Sequence, residues 1–361
     1  MKNDKRKRRK RRKKRLNTLI ALIVVLVIIA GASASAVVFY KDSVSAVSKT
    51  SEPVTVKISS GMGAYQVIDI LEENGLIKNK KAAKLFIRIN NIHDIKANTY
   101  LLDKTMSLKE IFHTLENPDD EHTVHVKFTV KDGTTIPQVA EVVASLLNIS
   151  TDDVLAKWAD TDYLNSLIEK YWFIDESILN SDIMYPLEGY FYPETYFVLE
   201  DNPTIENVTR YALDMMDNKL SPYKDSISAM NWTVHEFLSF VSVVERESLF
   251  EEDRPKIAGV FMNRLNSGMK LQSDITVNYA WQRTGVDVSY DHLNIDSKYN
   301  TYMYEGLPVG PISTVSEGTM KDCIDYDVND YFFFFAKEDG TVIYSSTIEE
   351  HNEAVENNKW Y

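Results

Sequence analysis

The sequence predicts an α+β protein carried behind a single N-terminal transmembrane helix, and three observations point there. A charge-free run of 21 residues follows a dense basic block. Beyond it, the alternation of strands and the 3.6-residue spacing of helices take turns along the chain. From about Met184, aromatic rings and prolines mix with amides, hydroxyls and acids, the texture of a cleft-bearing domain.

The basic block holds twelve Lys/Arg and one Asp in the first 15 residues, a charge of +11 that leaves the rest of a −13 chain at −24. Residues 1–18 read as a basic cytoplasmic tail and 19–40 as the membrane helix, because 21 apolar residues at 1.5 Å each cross a hydrocarbon core of roughly 30 Å. Lys/Arg before the span keep the N-terminus in the cytoplasm, so everything beyond about Lys41 is expected outside. A cleaved signal peptide is the rival reading, given the A-x-A-like Ala32-Ser33-Ala34, but the apolar run continues past it. The polybasic tail suits anionic lipid headgroups and implies no nucleic acid. Cys323 is alone, so neither an internal disulfide nor a cysteine zinc site can form.

Residues 41–53 are Ser-rich and read as a linker. A small α+β module spans 54–118: a strand at Val54–Ile58, a helix through AYQVIDILEENGLI ending near Gly75, a second helix at Lys81–Ile89, a strand at Ala97–Leu102 and a capped helix at Ser107–Leu115. In the connecting region 119–183, Val124–Phe128, Asp132-Gly133 and QVAEVVASLL repeat the strand, turn, helix order, an echo equally readable as two ordinary units. The larger domain, 184–361, carries PLEGYFYPETYFV, LQSDITVNYA, YNTYMYEGLPVGPIST and YSSTIEEHNEAV. Rings flanked by amides and hydroxyls suit a sugar-binding, aromatic-lined cleft.

Within VVERES, a helical wheel from Phe240 puts Val243 at about 300°, Glu247 at about 340° and Val244 at about 40°. Glu247 thus lies in the middle of an apolar stripe, whereas Glu245, at about 140°, falls near its margin. The pattern buries Glu247 in preference to Glu245. A desolvated carboxyl keeps its proton near neutral pH, the condition for a general acid; the structural alternative is a buried pair with Arg254 or Arg264.

The stretch VSVVERESLFEEDRPKIAGVFMNRLNSGMKLQSDITVNYA closely resembles the core of the endolytic murein transglycosylases of the MltG, or YceG-like, family. The likeness extends through EGYFYPETY, YNTY, GLPVGPI and His351-Asn352, and the module at 54–118 is similar to that family's LysM-like domain, including K-A-x-T-Y. Arg246 stands for a family Lys, Ile275 for a frequent Pro, and Thr314-Val315-Ser316 for T-P-G. The resemblance implies non-hydrolytic cleavage of MurNAc-GlcNAc β-1,4 bonds in peptidoglycan strands, with Glu247 the acid. It also implies work beside cell-wall synthases. Tyr299, Asn300 and Tyr302 are expected to border the cleft, a core role for one tyrosine being equally open, and Gln272 and Ser313 to donate to sugar groups. Asp274 and Glu188 read as hydrogen-bonding cleft residues, or as a hydrolase's second carboxylate; Tyr192 joins this set. His351 is open between the site and a structural turn. No metal or other cofactor is implied, the seven His being scattered. A membrane-tethered scaffold that binds glycan without cutting it is the alternative from another class.

Overall fold

The computed structural model describes residue 31 and residues 35–59, 61–118, 122–282 and 292–358. The expected membrane span lies largely outside these. Among the described residues no helix is long and apolar enough to cross a membrane. The chain is α+β, with three two-stranded antiparallel sheets among the described residues, and it divides into two compact units.

The first unit takes the described residues through His125 together with Leu199–Asp201. Its strands β1 (Pro53–Ile58) and β2 (Asn98–Asp103) pair with Val56 opposite Tyr100. Between them run helices α1 (Ala64–Glu73) and α2 (Lys80–Asn90), and α3 (Leu108–Glu116) follows. The reasons are local. Asn79 caps α2 by accepting from Ala82 N–H, and Ser107 and Glu110 form a reciprocal capping box on α3. Apolar positions at helical spacing, Val67, Ile68, Leu71, Ile111, Phe112 and Leu115, then close over Val56, Tyr100 and Leu102. Each fully buried side chain of this kind contributes roughly 1.5–3 kcal/mol.

The second unit takes the described residues of 126–198 and 202–361. Strand β3 (Val126–Thr129) pairs with β4 (Thr195–Val198), which ties the start of this unit to a segment nearly seventy residues on. Helices α4 (Ile136–Leu147), α5 (Thr151–Trp158) and α6 (Thr161–Lys170) lie between them. After β4 come α7 (Ile205–Leu220), α8 (Lys224–Ala229), α9 (Val234–Glu247), α10 (Arg254–Asn266), α11 (Asp274–Ala280) and α12 (Glu317–Ile324). A hairpin, β5 (Phe333–Ala336) with β6 (Val342–Ser345), and the helix α13 (Ile348–Asn358) complete it.

Helix α9 is the axis of this unit. Thr233 and Glu236 form its capping box, and Phe237 through Val244 are all buried, so the helix is enclosed on every side by α10, α11, α12 and neighbouring loops. It stops at Glu247, because Ser248 turns extended at ψ 117°. A buried helix thus delivers its last residue to the edge of the core.

Candidate active site

Glu247 lies on the rim of a cleft of about 370 Å³, shared with Phe261, Arg264, Leu271, Gln272, Asp274, Tyr302, the strand residues Phe333–Phe335, and Ile348, His351 and Val355 of α13. Burial pushes its carboxyl up to about 7; the nearby Asp274 adds to the rise, while a hydrogen bond from Ser273 and the positive Arg264 oppose it. Its place at the C-terminal end of α9 acts in the same direction as burial, since the exposed carbonyls there disfavour a second negative charge. Ser273 Oγ donates to Glu247 Oε1 at 2.5 Å.

Neither arginine considered as a buried partner for Glu247 takes that role. Arg254 faces Glu245, Nη2 to Oε1 3.5 Å. Arg264 spends its fork on the carbonyls of Phe332 (Nε, 2.6 Å) and Leu271 (Nη1, 2.6 Å), bracing two walls of the cleft while its guanidinium lies over the Phe333 ring. Glu245, which the wheel puts near the margin of the stripe, is itself deeply set: its side chain is only 5% exposed. The segment leading into α12 covers it, and Glu245 Oε2 accepts from both the N–H and the hydroxyl of Ser316. The two acids differ in pairing: Glu245 has Arg254 beside it, whereas Glu247 takes the Ser273 hydroxyl.

Three of the sequence-selected binding residues line this cleft. Gln272 does so from a left-handed backbone position (φ 50°), Asp274 opens α11, and Tyr302 donates its phenol to Asp274 Oδ1 at 2.5 Å. The other five lie elsewhere. Tyr299 is wholly buried against the Tyr279 ring. Asn300, equally buried, clasps its own loop, with Nδ2 donating to Leu293 O and Ile295 O and Oδ1 accepting from Tyr302 N–H. Ser313 is buried and donates to Thr314 O. Glu188 is buried, accepts from Ile136 N–H at the start of α4 and from Tyr279 OH, and burial pushes its carboxyl up to about 8. Tyr192 sits in the core with Lys219 over its ring. The common reason is that PLEGYFYPETYFV turns its rings inward: Tyr190, Phe191, Tyr192 and Tyr196 are all core residues.

Sequence reasoning passed over Arg264 as a brace, Ser273, and the three phenylalanines of β5. His351 does not cap a turn. It stands within α13 with its ring stacked on Phe333, and burial together with Arg264 holds its imidazole below the ordinary value. For Ser273 the usable signal was its place between Gln272 and Asp274 in LQSD; for Phe333–Phe335 it was an aromatic strand beside a turn.

A protein of Bacillus subtilis named endolytic murein transglycosylase is 32% identical over 323 residues, covering 89% of each chain. One of the same name from Streptococcus pneumoniae strain D39 is 34% identical over 318 residues, 84% of this chain and 58% of that longer protein. The 2.6 Å crystal structure of a YceG-like protein of Listeria monocytogenes superposes with a TM-score of 0.62 at 32% identity, over 84% of this chain and all of that one. The model of the YceG-like family matches residues 56–357, which take in most of the described residues of both units and every residue of the cleft, and the chain belongs to that family.

Proposed function

We propose that this chain, a lytic transglycosylase by kinship, is a membrane-anchored endolytic enzyme that cuts MurNAc-GlcNAc β-1,4 bonds in nascent peptidoglycan strands and leaves 1,6-anhydroMurNAc ends. The supporting observation is a carboxyl without an ion-pair partner among the described residues, poised at about 7 on the edge of a cleft walled by aromatic rings. In its protonated form Glu247 gives a proton to the leaving glycosidic oxygen as the C1–O bond breaks. As carboxylate it then takes the proton of the MurNAc 6-hydroxyl while O6 bonds to C1. The proton returns to Glu247 and no water is consumed, so one carboxyl serves both steps. A value near neutrality makes both forms accessible at working pH.

Gln272, Asp274 and Tyr302 are the groups we assign to the glycan, with Phe333–Phe335 offering ring faces to its C–H surfaces. Residues 19–40 anchor the enzyme with its N-terminus in the cytoplasm, which keeps the cleft near newly made strands and the synthases that make them. A hydrolytic reading draws on Asp274, a second carboxylate in the same cleft. Mass spectrometry of fragments released from un-crosslinked glycan strands separates the readings. Anhydro ends one water lighter than hydrolysed ones, absent with Glu247→Gln, are expected. Reducing ends would shift the role of base to Asp274, and intact strands retained equally by both proteins would mean a scaffold.

A further inference from the structure

Ser273 stands at the N-cap position of α11, where a serine hydroxyl ordinarily accepts from a backbone N–H of the first turn. Here its side chain makes no such bond. The hydroxyl goes to Glu247 Oε1 instead, although Ser273 is only 2% exposed. Two threonines hold it there. Ser273 N–H donates to Thr301 Oγ1 (3.0 Å), Thr276 Oγ1 donates to Ser273 O (2.7 Å), and the two threonine oxygens lie 2.9 Å apart. Since the single Thr276 proton is used on Ser273 O, Thr301 must donate to Thr276, and every proton in the cluster has one direction. Asn300, clasping its loop carbonyls, fixes Thr301 in turn.

We propose that Ser273 is the positioning residue of the catalytic acid: by donating to Oε1 it leaves the acid proton on Oε2, and it stabilises the carboxylate that must later accept the 6-hydroxyl proton. This rests on the proposed role of Glu247 and explains how one carboxyl, sunk at the end of an apolar helix, remains able to ionise. The remaining charged and titratable neighbours are Asp274 on α11, Arg264 on α10, Tyr302 on its loop and His351 on α13. On the α12 side, Arg254 lies near both Glu245 and Asp322.

The test uses the full-length protein in detergent and un-crosslinked glycan strands, with kcat/KM followed across pH. In wild type the rate falls as Glu247 ionises. Ser273→Ala removes a donor to the charged form, so this alkaline limb should move up by about one pH unit, the scale expected for a hydrogen bond to a charged group. Ser273→Thr should restore the wild-type midpoint. Because the hydroxyl does not cap α11, thermal stability below pH 6 should be nearly unchanged in Ser273→Ala. An unmoved limb, with or without a uniform loss of rate, would overturn the proposal. Infrared pH titration of the Glu247 carboxyl, identified by its loss in Glu247→Gln, reads the same shift without turnover. A shifted titration in a protein that cuts no glycan would refute the enzymatic reading and leave the Ser273 bond standing; no shift there would sink the bond's role.

Discussion

Glu247 occupies about the least favourable place a carboxylate can have, at the end of a helix enclosed on all sides. Burial sets its value, and the fold supplies one donor rather than a counter-ion. Three outcomes follow at this scale. Glu247→Gln, nearly isosteric, should lower cleavage by about 10²- to 10⁴-fold with the fold intact, as read by fragment analysis and circular dichroism. The same variant should flatten the dependence of stability on pH. Glu247 and Glu188 have folded-state values of about 7 and about 8, above the ordinary carboxyl range, so each binds its proton more tightly in the folded chain. Their contribution is complete below that ordinary range and is lost as pH climbs through 7 and 8. Melting temperature should therefore decline from pH 5 to pH 9 in wild type and decline less in Glu247→Gln. Conversely, Glu188→Gln should cost activity mainly through stability, since that carboxyl holds the start of α4 and Tyr279 and does not line the cleft.

At the scale of elements, the aromatic wall of the cleft depends on how the chain before β5 is strapped to α10. Asn263 Nδ2 donates to the carbonyls of Asn329 and Tyr331, and Arg264 to that of Phe332. The strap runs so close that a Cβ built on Gly259 would stand 2.2 Å from Asp327 O. Helix propensity alone would make Gly259→Ala stabilising by about 1 kcal/mol. The clash with backbone is the larger effect, and we expect a net loss of roughly 1–3 kcal/mol in urea unfolding together with a raised KM, because Phe333–Phe335 shift with the strap. A stabilised Gly259→Ala would show that the strap yields freely. Gly189 makes the complementary contact, at φ 80° with a Cβ position 2.4 Å from Pro311 Cβ, bringing the 186–198 segment against the loop that precedes α12.

Across the whole molecule, the family match extends into both compact units, and the kinship to endolytic murein transglycosylases extends over most of the chain. The polybasic tail and the apolar run that follows it are the sequence features behind the proposed membrane anchor. Accordingly, the full chain should sediment with membranes and resist salt extraction, whereas a form starting at Asp42 should be soluble and still release anhydro-ended fragments; extraction by salt alone would mean a peripheral protein.

Much of the fold is legible in the sequence. Helix capping and apolar periodicity are local, so the strands and helices of the 54–118 module fall within one or two residues of their expected limits. Glu247 could be chosen because a wheel registers which residue shares a stripe with Val243 and Val244. The fate of Glu245 could not be read, because its cover comes from Ser316, seventy-one residues on. The aromatic texture could be read only in part, for the same reason. Composition signals that rings and amides are present, but only packing turns Tyr190 and Tyr299 into the core and Phe333–Phe335 and His351 toward the cleft. Sequence by itself determined the fold class, the candidate anchor and the candidate acid, since each is written in a run of neighbouring residues. The tertiary structure alone decided what surrounds that acid, because Ser273, Arg264, Asp274 and His351 come around Glu247 only when four separate elements pack together.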